Sequence, residues 1–361
     1  MKKSIFLAAI LLLASAVYGQ TIFQEKQTRP IKLGTSGGDV NDISKRFCCS
    51  GTLGSLVTKG GVQFILSNNH VLARSDSAAI GEDISQPGLV DSVCNVPAAD
   101  IVADLSEFVP LGTNNVDAAL AATRAGDVTT TGEILAVGVP ASSPATPTVG
   151  RGVAKAGRTS GLTCASIASV NTNVRVQYQP RCGQGKKFIV SYTNQVAIVS
   201  ASFSAGGDSG SLIVTSDTAQ PAALLFAGSN TVTIGNPVGD VINALGVSFV
   251  GGGTHSVTCP AAPAAPVQTQ GLSAAEFHRA SSAKEGHWKD LLQDDAIQGV
   301  GVGEDPGNPG RGAVIIYVEE GRAHGPIPAE LAGVKTVVVV TDKFRATGWN
   351  EKLEGGSCSK K

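Results

Sequence analysis

Charge of either sign is nearly absent in excess: 28 Lys and Arg face 29 Asp and Glu, a formal net charge of −1. That removes the electrostatic case for nucleic acid or an anionic membrane surface as a partner. Past the first residues no apolar stretch is long enough to span a bilayer, so no membrane span is expected. No cysteine lies near the end of the N-terminal apolar run, so a lipid-anchored form is not expected. The cysteines include no Cys-x-x-Cys pairs and the histidines are scattered, so zinc ligation is not expected. No loop has the ligand spacing of a calcium site. Gly185-Lys186-Lys187 lacks the rest of a phosphate-binding loop, and Gly299, Gly301 and Gly303 lack the spacing of a dinucleotide fingerprint. No cofactor and no metal are therefore expected, and no internal repeat is evident.

What remains is a chain of 361 residues, longer than a typical single domain, with 42% hydrophobic residues, enough for a sizeable core. Aromatics make up only 5%, while 44 glycines accompany many Val, Thr and Ser, a composition that favours short strands and tight turns. Lys2 and Lys3, the apolar run Ile5 to Leu13, and small residues up to Gly19 have the layout of a secretory signal peptide over residues 1–19. The mature chain is then expected in a secreted location, extracellular or periplasmic, where disulfides persist. The cysteines are Cys48, Cys49, Cys94, Cys164, Cys182, Cys259 and Cys358, an odd number. Cys164 and Cys182 bracket a polar, turn-rich segment and are the expected bridge; the other pairings stay open.

Residues 20–47 read as an irregular lead-in, with turn character at Gly34-Thr35-Ser36-Gly37-Gly38. From Cys48 the pattern changes. Leu53 to Thr58 and Val62 to Ser67 are apolar runs separated by Lys59-Gly60-Gly61, a hairpin signal. Similar runs recur at Ile134 to Val139, Val174 to Tyr178, Phe188 to Tyr192, Val196 to Ser200, Ser211 to Thr215 and Ala222 to Ala227. Val238 to Leu245, following Pro237, reads as a short helix. The Pro/Ala-rich segment 260–271 has the composition of a linker. Beyond it, Leu272 to Gln293 suits one or two amphipathic helices, and Ile297 to Val302, Ala313 to Val318 and Lys335 to Thr341 suit strands. Residues 272–361 are thus expected to form a small α+β domain of unknown role with a polar tail.

Chemistry concentrates in three places. Ala205-Gly206-Gly207-Asp208-Ser209-Gly210-Ser211 precedes the apolar run Leu212-Ile213-Val214. Glycines around a serine let the backbone turn sharply, expose the hydroxyl and gather N–H groups where a carbonyl oxygen becomes an anion. A nucleophilic serine needs a base, and the base an orienting carboxylate. His70 follows the run Val62 to Ser67 at the start of a helical turn, and Asp117 stands just before an apolar strand. Asp100 and Asp104 are poorer candidates for the carboxylate, and His255, His278, His287 and His324 for the base.

These segments carry a resemblance. Leu66-Ser67-Asn68-Asn69-His70-Val71-Leu72, Val116-Asp117-Ala118-Ala119-Leu120 and Gly207-Asp208-Ser209-Gly210-Ser211 resemble the His, Asp and Ser elements of trypsin/chymotrypsin-like serine proteases, in that family's chain order. Thr233-Ile234-Gly235-Asn236-Pro237-Val238 resembles the segment closing its second barrel. The resemblance covers about residues 48–250 and implies a mainly β fold of two six-stranded antiparallel barrels over 48–259, with His70 and Asp117 in the first and Ser209 in the second. It further implies an endopeptidase acting on protein or peptide substrates. Ser209 would be nucleophile, His70 base, Asp117 orienter, and the N–H groups of Gly207 and Ser209 the oxyanion hole. Phe203, Ser204, Gly228 and Ser229 would line the primary pocket. With Phe203 where trypsin-like enzymes carry a carboxylate, small or medium uncharged side chains are expected before the cut bond. Asp208 is expected to be structural, its partner open. The competing expectation is a non-catalytic binding or inhibitory protein on a protease scaffold; a serine esterase fits the residue order less well.

Overall fold

The computed structural model describes residues 22–44, 47–259 and 271–346. The signal-peptide segment 1–19, nearly all of the linker, the tail after Ala346 and Cys358 lie outside the described residues.

The first sheet has the strand order β15-β3-β4-β7-β6-β5-β1-β2. Its members are β1 (Thr35–Asp39), β2 (Gly51–Leu53), β3 (Ser55–Lys59), β4 (Val62–Ser67), β5 (Asp83–Ser85), β6 (Ile101–Phe108), β7 (Ala119–Thr123) and the late strand β15 (Ser248–Phe249). β2 and β3 are consecutive pieces of one strand bent at Gly54, yet they sit at opposite sides of this order. The sheet therefore closes on itself as an antiparallel barrel, with β15 added along β3. Leu53, Leu56, Ile65, Leu66, Val102, Leu105 and Leu120 fill its core.

The second sheet closes in the same way. Its order runs β10-β11-β14-β13-β12-β8-β9 through β8 (Gly152–Gly157), β9 (Gly161–Ser166), β10 (Ser169–Tyr178), β11 (Phe188–Val199), β12 (Leu212–Thr215), β13 (Pro221–Gly228) and β14 (Val232–Pro237). β9 and β10 are nearly continuous: Ile167 bonds toward β8 through Arg151, and Ala168 bonds β11 at Ala197. One bent strand thus joins both edges, and Val153, Ile198, Phe203, Ile213 and Leu225 pack inside. The two barrels fit the chymotrypsin-like architecture expected from the sequence. Helix α2 (Val238–Leu245), preceded by α1 (Asn69–Leu72) in the first barrel, falls where the sequence placed it and ends at Gly246 in the left-handed conformation.

Three expectations are corrected. The glycine-rich stretch at 34–38 is no irregular lead-in; it supplies β1, paired with β2 and β5. A Cβ on Gly37 would lie 2.4 Å from the Leu53 side chain, so the glycine that suggests a turn serves close strand packing. Ile134 to Val139 makes turns and isolated bridges to Leu33 and His255 rather than a strand. Cys164 and Cys182 are not joined to each other. Cys164 bonds Cys259, Cys182 bonds Cys49, and Cys48 bonds Cys94. Cys164 and Cys182 sit toward opposite ends of the extended β9–β10 stretch, not across a turn, so they diverge as the strands rise.

The C-terminal segment has the expected mixed content: α3 (Ala274–Glu285), capped by Ser273, and α4 (Trp288–Leu291), then β16 (Ile297–Glu304), β17 (Gly312–Glu319), β18 (Glu330–Leu331) and β19 (Val334–Thr341). Its strands continue the second barrel's sheet. β16 pairs antiparallel with the outer edge of β10, matching Val170 to Val302 and Val174 to Gly299. β19 runs parallel to β17, and α3 packs over both β16 and β17 through Ala280 and Ala283.

Candidate active site

His70 sits on α1, a single turn placed by the buried strand β4. Its Nδ1 is 2.6 Å from Asp117 Oδ2, and its backbone N–H donates to Asp117 Oδ1 at 3.2 Å. Asp117 is fully buried, directly before β7. Its carboxylate also accepts from the Tyr178 hydroxyl at 2.9 Å, and Tyr178 and Tyr192 share a hydroxyl–hydroxyl bond of 2.8 Å. Burial first, then the charge of Asp117, pushes both phenols above their ordinary value, so they stay protonated and donate. The Asp117 backbone is held from two directions. Its N–H donates to Asn236 Oδ1 at 3.0 Å, and its carbonyl accepts from Asn68 Nδ2 at 2.7 Å.

Ser209 stands on the turn between β11 and β12, in the other barrel. Gly207 has φ +90° and Gly210 φ +94°. A Cβ on Gly210 would lie 2.1 Å from Ser67 Oγ, so glycine is required there both by conformation and by space. The first barrel grips this turn through Thr52, whose N–H donates to the Ser209 carbonyl at 2.8 Å and whose hydroxyl donates to the Gly207 carbonyl at 2.9 Å. No hydrogen bond to a described residue engages the N–H of Gly207 or of Ser209. His70, Gly207 and Ser209 line one cleft with Ser50, Arg158 and Ala346. His70 Nε2 has no hydrogen-bond partner among the described residues. Arg158 is fixed at its edge by Asp91, with Nε–Oδ2 at 2.6 Å and Nη2–Oδ1 at 2.7 Å.

The solved structures this chain resembles are serine proteases. A glutamic acid specific serine protease that uses a histidine triad in substrate binding is 20% identical, and the match covers 61% of this chain and 100% of that one, TM-score 0.43. Thermobifida fusca protease A is 17% identical over 62% and 99% of the two chains, TM-score 0.43. Cellulomonas bogoriensis chymotrypsin is 17% identical over 62% and 99%, TM-score 0.41. No family model and no curated protein matches the sequence. The chain's own side chains, not these likenesses, carry the chemistry.

Asp208, left without a partner in the sequence, finds one inside the chain. It is fully buried against the equally buried Lys155 of β8, Nζ–Oδ2 3.2 Å. Its oxygens also accept from Thr159 N–H at 2.8 Å, Ser160 N–H at 3.1 Å, Ser160 Oγ at 2.5 Å and Ala205 N–H at 2.9 Å. Burial lowers the Lys155 ammonium from its ordinary value, and the Asp208 charge opposes that shift.

The expected pocket residues are dispersed in role. Phe203 is fully buried in the second barrel's core, its carbonyl accepting from Thr163 Oγ1 at 2.6 Å. Ser204 Oγ and Thr233 Oγ1 are 2.5 Å apart, and Ser229 Oγ and Thr341 Oγ1 2.6 Å. Gly228 pairs its backbone with Arg345. The rival carboxylates are engaged elsewhere, Asp100 by Lys26 and Asp104 by Arg124. Among the described residues no three His, Cys, Asp or Glu side chains converge as a metal ion requires, and no helix is long and apolar enough to cross a membrane. Tyr178, Asn236 and Lys155 were missed. Asn236 lies in the quoted barrel-closing segment, while Tyr178 and Lys155 carry no local signal.

Proposed function

We propose that the protein is a secreted serine endopeptidase of the chymotrypsin-like kind, acting on protein or peptide substrates through an acyl-enzyme intermediate. The observation that carries this is the buried His70–Asp117 contact of 2.6 Å, with Nε2 unpartnered in the cleft that also holds Ser209. Ser209 Oγ attacks the carbonyl carbon while His70 Nε2 takes its proton. The proton then passes to the leaving amine, and water repeats the sequence on the ester, regenerating Ser209. Asp117 keeps the Nδ1 proton on its own side and stabilises the imidazolium. The N–H groups of Gly207 and Ser209 receive the oxyanion; loss of one such donor costs about 3–4 kcal/mol of transition-state stabilisation.

The preference for small or medium uncharged side chains before the cut bond rests on the resemblance alone, in which Phe203 stands where trypsin-like enzymes carry a carboxylate. The disulfides support an oxidising compartment outside the cytoplasm. The decisive test is fluorophosphonate labelling of the purified protein. Labelling is expected in the wild type, absent in Ser209→Ala and strongly reduced in His70→Ala. Absence of labelling with and without the C-terminal segment favours the non-catalytic scaffold.

A further inference from the structure

The last described residues enter the cleft as an extended strand. Arg345 and Gly228 form an antiparallel pair, with Gly228 N–H to Arg345 O at 3.0 Å and Arg345 N–H to Gly228 O at 2.9 Å. On its other side the same strand bonds β10: Gln177 N–H donates to Phe344 O at 2.9 Å, and Ala346 N–H to Gln177 O at 3.1 Å. Phe344 is fully buried, with its ring centroid 5.7 Å from that of Tyr317, and Thr341 Oγ1 meets Ser229 Oγ. Ala346, next along the chain, lines the cleft with His70, Gly207 and Ser209.

A polypeptide held for cleavage must lie extended, its backbone bonded to an exposed strand edge, its reacting carbonyl near the nucleophile. Gly228 is such an edge, and here its N–H and carbonyl are both spent on the chain's own Arg345. The direction also fits, because the strand approaches Ser209 from its N-terminal side. Ala346 itself lines the cleft beside His70, Gly207 and Ser209, where the residues of an incoming chain would have to lie.

We propose that Lys343–Ala346 occupies in cis the backbone slot that a polypeptide substrate would take, so that the C-terminal segment keeps the site closed to other chains until it is displaced. This rests on the endopeptidase reading. A short tether gives an effective concentration on the order of 1 mM, so even a weak occupant with a Kd near 100 μM suppresses turnover by about tenfold.

The test compares the full chain with a chain ending at Phe344, which keeps the buried aromatic and removes the partner of Gly228. Arg345→Pro in the full chain, which removes the N–H given to Gly228 together with the Arg345 side chain but keeps the rest of the segment, guards against misfolding of the shortened form. Each is measured for hydrolysis of unfolded casein and for fluorophosphonate labelling, a small probe that needs no strand slot. Both altered forms are expected to raise kcat/KM on casein about tenfold with similar labelling rates. The synthetic peptide Lys-Phe-Arg-Ala-Thr-Gly, added in trans, is expected to inhibit the shortened form competitively. Equal labelling with unchanged casein hydrolysis and no inhibition by the peptide overturns the proposal and leaves the endopeptidase reading intact. Absence of labelling in every form overturns that reading, and the proposal with it.

Discussion

Lys155→Met removes the cation that pairs with the buried Asp208 carboxylate, and its cost can be worked from the contacts. Breaking a buried ion pair from one side costs about 3–5 kcal/mol, because the remaining charge has neither water nor counter-charge. Here Asp208 keeps the donors of Thr159, Ser160 and Ala205, which places the electrostatic loss near the lower bound. Lys155 Nζ also donates to the Gly161 carbonyl at 3.1 Å and to Ser160 Oγ, and losing these adds about 1 kcal/mol. The expected total is about 3–4 kcal/mol, read as a shift in urea midpoint at unchanged slope. The functional cost should be larger than a uniform loosening gives, since Asp208 adjoins Ser209 and bonds Ala205 within the same turn. If the N–H groups of Gly207 and Ser209 lose their aim, fluorophosphonate labelling falls about 100-fold. Adding Asp208→Asn to Lys155→Met removes the orphaned charge, so the double variant should be more stable than the sum of the singles by about 2 kcal/mol. A Lys155→Met protein within about 1 kcal/mol of wild type and labelled within about threefold of its rate refutes the reasoning.

Tyr178→Phe removes a hydroxyl donor from Asp117 and a partner from Tyr192, so stability should drop by about 1–2 kcal/mol and fluorophosphonate labelling should slow by about tenfold as Asp117 is held less firmly against His70. An unchanged labelling rate with the same stability loss reduces Tyr178 to packing. Asp39 has its carboxyl pushed up to about 7 by burial, opposed by the Asn41 N–H. With the folded value above the unfolded one, its contribution is whole below about pH 4 and lost as pH rises toward 7. Asp39→Asn should therefore gain on wild type by about 2 kcal/mol between pH 5 and pH 8; equal Tm differences at the two pH values refute the sign. Non-reducing peptide mapping should recover Cys164 linked to Cys259, and replacing both by serine should cost about 2–5 kcal/mol; a Cys164–Cys182 peptide overturns this pairing.

What the sequence revealed is what short segments encode. His70, Asp117 and Ser209 each sit in a stretch whose strand, turn or helical period is set by immediate neighbours, and Val238–Leu245 is announced by the preceding proline and its apolar spacing. The features that escaped are made by residues distant in the chain. Gly37 of β1 reads as a turn residue because the Leu53 side chain that demands it is supplied by another strand. Tyr178 reaches Asp117 from the far end of β10, and nothing around either residue marks the encounter. The cysteine pairing failed for the same reason: closeness in sequence was taken for closeness in space, whereas an extended strand carries its two ends apart.

The buried lysine beneath the Ser209 turn has a consequence for timing. The countercharge for Asp208 is carried by β8 of the same barrel, so the turn acquires its shape when that barrel condenses. Ala346, a few residues beyond β19, stands at the mouth of the cleft that this turn helps to line.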